Sequence, residues 1–100
     1  MIKEVLVEAK RLLVEKGHTT RAFARDANGG VVGANNPHAR CYCAFGAVRA
    51  AAVHLVGDSA AGDLVRRAVD ALETQGNFGS LMAFNDKNPT DVVLALFDKV

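Results

Sequence analysis

From Ile2 to Lys16 the apolar residues Ile2, Val5, Leu6, Ala9, Leu12 and Leu13 recur at helical spacing, while Lys3, Glu8, Lys10 and Glu15 fall elsewhere. Glu4 near the positive end of the helix dipole and Lys16 near the negative end suit a helix over 2–16, and Gly17 supplies a stop. Periodicity then lapses. Thr19 to Arg25 reads as a short strand with Phe23 as its one large anchor. Asp26-Ala27-Asn28-Gly29-Gly30 is turn chemistry, and Val31-Val32 returns as a second strand. Ala34-Asn35-Asn36-Pro37 forms a further loop, because proline restricts both itself and its predecessor.

The pattern changes again at Cys41. Between Cys41 and Val56 only Arg49 and His54 interrupt the longest apolar run in the chain. A helix that is apolar almost all round is buried almost all round, so a central helix is expected from about Ala39 or Arg40 to Val56, ended by Gly57. Gly46 in its interior costs about 1 kcal/mol relative to alanine. That cost predicts the close approach of another backbone.

Beyond it, Asp58 or Ser59 is expected to cap a third helix running to about Gln75. Ala61, Leu64, Val65, Ala68 and Leu72 form its inner face, and Asp63 with Arg67 and Arg66 with Asp70 have the spacing of paired surface charges. Gly76 to Gly79 is a break, Ser80 to Phe84 a helical turn or two, and Asn85 to Pro89 a polar loop. Thr90 reads as the N-cap of a last helix burying Val93, Leu96, Phe97 and Val100. Met82, Phe84 and Phe78 are expected in the core. The fold class is therefore mainly α: a compact single domain over 1–100, with four to five helices. It has a buried central helix and a short β-ribbon or extended segment between helices 1 and 2.

Composition sharpens this picture. The hydrophobic residues make up 50% of the chain, mostly alanine, valine and leucine with no tryptophan, which favours closely packed helices over a sandwich of sheets. Twelve Lys and Arg against eleven Asp and Glu leave a net charge of +1 with the signs interleaved, an argument against a nucleic-acid surface. The Cys41–Val56 run is too short and too polar to span a bilayer. Lys3 and Glu4 occupy the place of an export segment's apolar run, so the expected compartment is the cytoplasm. There Cys41 and Cys43 are expected to be free thiols.

Four segments in order, Ala22 to Gly29 (Ala-Phe-Ala-Arg-Asp-Ala-x-Gly), Cys41 to Ala47 (Cys-x-Cys-Ala-x-Gly-Ala), Phe84 to Asp86 (Phe-Asn-Asp) and Thr90 to Asp98 (Thr-Asp-Val-Val-x-Ala-Leu-Phe-Asp), carry a resemblance over nearly the whole chain. The chain resembles a family of small bacterial and phage proteins classed only as a domain of unknown function. Phe84 stands where that family has tryptophan. The resemblance implies kinship and no reaction, so no catalytic role follows from it.

Candidate chemistry centres on two places. Cys43, in or just before the first turns of the central helix, is where a dipole and backbone N–H groups favour a thiolate. With His38 upstream and Asn85 or Asp86 it makes a formal Cys-His-Asn/Asp set, yet no protease signature surrounds it, and a buried free cysteine is commonly a small hydrophobe. The second place is a candidate polar pocket of Arg25, Asp26, Asn85 and Asp86, set against the N-terminus of the central helix with Cys43. Its plainer reading is that the two aspartates satisfy backbone N–H groups in turns.

A zinc site from Cys41, Cys43, His38 and His54 is not expected. A Cys-x-Cys pair on a helix points its thiols about 200° apart, and His54 lies roughly 16 Å further along. Gly29-Gly30 lacks a phosphate-loop pattern. No cofactor or metal is expected. The functional expectation is a small non-catalytic module that binds a protein partner or self-associates, with no nucleic acid or membrane. The alternative is a cysteine-dependent hydrolase or transferase using Cys43.

Overall fold

The computed structural model describes all 100 residues. Its elements run α1 (Ile2–Lys16), β1 (Ala24–Arg25), β2 (Val31–Val32), β3 (Cys41–Tyr42), α2 (Ala44–Val56), α3 (Asp58–Gly76), α4 (Leu81–Lys87) and α5 (Thr90–Phe97). The fold is mainly α, with a three-stranded antiparallel sheet inserted between the first two helices. No helix is long and apolar enough to cross a membrane.

Helix α1 buries Val5, Leu6, Ala9, Leu12 and Leu13, the face its spacing predicts, and ends at Gly17, whose φ of 115° suits glycine. Helix α2 packs against both α1 and α3, while α5 bridges α1 and α3 and α4 rests on α2 and α3. Alanine makes the middle position possible: Ala44, Ala47, Ala50, Ala51 and Ala52 are buried along α2, with Val48 beside them. Short side chains let neighbouring helices approach on several sides at once. Its most exposed residues, His54 and Leu55, lie in the last turn, and Arg49 brings its charged end to the surface in mid-helix.

Gly46 meets the close approach its position predicts. A Cβ there would lie 2.0 Å from the carbonyl oxygen of Phe23. The same carbonyl accepts from Cys43 N–H at 3.1 Å, and the Phe23 ring stacks on Phe45 with centroids 5.4 Å apart. The segment before β1 is thus laid directly over the first turn of α2.

Several boundaries differ from expectation, each for a tertiary reason. The central helix begins at Ala44 rather than Ala39 or Arg40, because Cys41 and Tyr42 pair with Arg25 and Ala24 as a third strand. Of Thr19 to Arg25 only Ala24 and Arg25 are strand. Gly57, without a side-chain cap bond, precedes α3 in place of an Asp58 or Ser59 cap. Asp58 instead lies 3.8 Å from Arg49 and accepts a 3.4 Å bond from Asn35. The expected polar loop at Asn85 to Lys87 is the last turn of α4, because Asn85 turns into the protein. Pro89 is the N-cap of α5, and Thr90 is its first residue. Val100 is exposed, since α5 ends at Phe97, and Met82 is also exposed. Phe78 and Phe84 stack on each other, half-buried, with centroids 4.4 Å apart.

Candidate functional site

The polar centre of the molecule is Asn85, the one fully buried polar side chain. Ser80 starts α4 by accepting from Ala83 N–H at 3.2 Å, and one turn further on Asn85 faces the start of α2. Its Oδ1 accepts from Ala44 N–H at 2.8 Å and lies 2.7 Å from His18 Nε2. Its Nδ2 donates to Thr19 O and to Asp86 Oδ1, each at 3.1 Å. Two lone pairs and two N–H groups are therefore all used.

This closes the assignment of His18. Because Ala44 N–H fixes which end of the amide is oxygen, His18 Nε2 must carry the proton it gives to Oδ1. In the neutral ring Nδ1 then accepts from the Thr90 hydroxyl, 2.9 Å away. One asparagine so joins the helix α2 N-terminus, the chain after α1 and, through His18, the start of α5.

Asp86 next to it holds a strained residue. Arg21 sits at φ 63°, a left-handed conformation costing a non-glycine residue on the order of 1 kcal/mol. Its N–H donates to Asp86 Oδ1 at 2.9 Å. That bond, then the Asn85 amide and the Arg21 charge, lowers the Asp86 pKa against the raising effect of its slight burial.

Arg25 and Asp26 work one step away. The Arg25 guanidinium donates to Thr19 Oγ1 at 3.0 Å, Gly29 O at 3.1 Å and Thr20 O at 3.1 Å, tying the segment after α1 to the β1–β2 turn. Asp26 Oδ1 accepts from Asn28 N–H at 2.9 Å and Gly30 N–H at 2.8 Å, closing that turn. Neither side chain bonds to Asn85 or Asp86; Thr19, whose hydroxyl accepts from Arg25 and whose carbonyl accepts from Asn85, is the one link between the two groups.

Cys43 is the N-cap of α2, buried, with Sγ accepting from Gly46 N–H at 3.2 Å. Burial pushes the thiol pKa up, against the lowering pull of the Gly46 and Phe45 N–H groups. At this position desolvation outweighs the helix terminus. His38 lies in the exposed loop before β3, where its N–H bonds to Asn36, and it makes no bond to Cys43. His54, on the last turn of α2, faces Glu8 at 3.5 Å. Both cysteines are free thiols, and no cluster of His, Cys, Asp and Glu has metal-binding geometry.

Beside the Asn85 hub lies a cleft of about 440 Å³. Ala22, Phe23, Val31 and Met82 form its walls, Cys43 its floor, and Arg21 and Asp86 its rim. Phe23, Val31 and Met82 remain exposed to 42%, 66% and 47%. Three large apolar residues are thus left uncovered around one concavity. Sequence reasoning singled out Cys43, Asn85 and Asp86 but not His18, Arg21 or Thr90. The local signals for those three are weak, because their partners lie more than sixty positions away in the chain.

No curated protein and no solved structure matches the chain. A family model described as "Family of unknown function (DUF6197)" matches residues 1–100. The chain, from its first residue to its last, belongs to that family of unknown function.

Proposed function

We propose that this chain is a non-catalytic binding module whose cleft between the Arg21–Phe23 segment and α4 receives an apolar side chain of a protein partner. The observation that carries the reading is the division of labour around Asn85. Its buried polar groups are consumed in holding the fold, and what faces solvent beside them is mainly apolar, with Arg21 and Asp86 at the edge. A concave apolar site with a few charged groups at its edge is the usual form of an anchor pocket. The interleaved charges, netting +1, offer no basic stripe for phosphate. Free thiols fit a reducing compartment, the cytoplasm.

The alternative, a hydrolase or transferase using Cys43, has less support. A nucleophile needs a thiolate and a base in reach, whereas the Cys43 thiol is pushed up by burial and no histidine is bonded to it.

The test is to pan a displayed library of random linear peptides on the wild-type chain and on Met82→Asp. Met82 is exposed, so the fold should tolerate the change. Enriched peptides should share a large apolar residue and bind Met82→Asp about tenfold or more weakly, the effect of placing a charge in a desolvated pocket. Failure to enrich any peptide, or equal binding to a correctly folded Met82→Asp, overturns the proposal.

A further inference from the structure

The sheet has an open edge beside the same cleft. Strand order is β2-β1-β3, so β2 is paired on one side only. In an antiparallel pair, residues alternate between facing the neighbour and facing away. The C=O groups of Phe23 and Arg25 both accept from the β3 side, from Cys43 and Arg40 N–H. Ala24 therefore presents its N–H and C=O to β2, where it is opposite Val32. Asp26 N–H bonds to Gly30 O at 2.9 Å, which fixes the same phase on β2. The residue between, Val31, directs its N–H and C=O off the open edge.

Val31 is also a wall of the cleft, and no lysine or proline guards its strand. At the rim the Arg21 guanidinium makes no hydrogen bond or close ion pair in the chain, unlike those of Arg11, Arg25 and Arg66, although Asp86 lies near enough for the Arg21 charge to lower its pKa. One unpaired backbone unit, one apolar concavity and one cation with hydrogen-bonding capacity to spare lie together.

Resting on the cleft reading above, we infer that the occupant is an extended segment of a partner protein that adds as a strand to β2. It exchanges backbone hydrogen bonds with Val31, puts one large apolar side chain in the cleft and sets an acidic residue against Arg21. Main-chain bonds supply register, the cleft supplies selectivity, and the carboxylate supplies orientation.

The experiment uses a peptide selected by panning, synthesised with single backbone N-methyl groups and measured by calorimetry on the full chain. Methylation of the residue opposite Val31 should weaken binding about tenfold, the loss expected for one backbone hydrogen bond plus its desolvation, whereas its immediate neighbour should be tolerated. The Val31 amide should gain hydrogen-exchange protection in the complex. Val31→Pro should fold, because an edge residue whose N–H faces outward can be proline, and should lose the peptide. Should that variant not fold, the methylation scan and amide protection still decide.

Binding that needs Met82 but lacks the alternation and the Val31 protection overturns strand addition and leaves the cleft reading standing. Absence of any Met82-dependent peptide overturns both. Val31 protection that rises with the concentration of the chain alone makes a second copy the occupant and overturns the assignment to a foreign partner.

Discussion

Replacing Asn85 by alanine should be the most damaging single polar change in this chain. The side chain is fully buried and serves two backbone groups that have no substitute in place: Ala44 N–H at the first turn of α2, and Thr19 C=O after α1. Leaving a buried donor or acceptor unsatisfied costs about 1–3 kcal/mol each, so the pair sets a range of about 2–6 kcal/mol. His18 keeps Thr90, and Asp86 keeps Arg21, so neither adds a full orphan. A water entering beside the half-buried His18 and Thr19 would recover part of the loss, which points to about 3–4 kcal/mol. Against a net stability of about 5–15 kcal/mol for a native domain, that is a large fraction.

Urea unfolding followed by far-ultraviolet circular dichroism measures it, with the midpoint shifting at a nearly constant slope. A loss below about 1 kcal/mol would refute the reasoning, because it would mean that the hub's bonds are dispensable.

Four further outcomes follow from the same geometry. Gly46→Ala should destabilise by more than about 2 kcal/mol although alanine is the better helix former by about 1 kcal/mol, because the new Cβ meets the Phe23 carbonyl at 2.0 Å. Gly62→Ala, in α3 with open space around its Cβ, should stabilise by about 0.5–1 kcal/mol, and thermal melts of the two variants check the contrast. In a Cys41→Ser background Cys43, nearly buried at the floor of the cleft, should react slowly with a thiol reagent in the native state and rapidly once denaturant is added. Rapid native reaction with an apparent pKa below about 8.5 would instead favour the enzyme reading. Asp86 has a lowered folded-state pKa, so its contribution to stability is present above the ordinary aspartate value of about 3.9 and is lost as pH falls through the lower folded value. The Arg21 amide resonance should titrate with a midpoint below that ordinary value, and a midpoint above it would contradict the Asp86–Arg21 bond.

Much of the architecture was legible because it rests on local regularity. The faces of α1 and α3 follow from a 3.6-residue period, and the burial of α2 follows from a run too apolar to face water. Gly46 announced a backbone contact through its helix cost alone, without naming Phe23. What escaped sequence reasoning depends on distant partners. Cys41-Tyr42 read as helix because its strand partner, Ala24-Arg25, lies across two turns. Asn85 to Lys87 read as loop from composition, yet burial of Asn85 against Ala44 N–H carries α4 through them. Met82 read as core because a lone methionine gives no sign of which face it occupies. Nothing local pairs His18 with Thr90, which read only as a helix cap, and only the tertiary fold puts 72 positions of separation within one hydrogen bond.

On the proposed reading, apolar groups around the cleft are kept free for a partner while the polar groups behind it hold the fold. Chemical-shift mapping of the labelled chain with a peptide selected on the wild type tests this most directly. The largest amide shifts should cluster at Arg21 to Phe23, Val31 and Met82. Shifts concentrated instead on the outer face of α1, around Val7 and Val14, or confined to no contiguous surface, would contradict that reading.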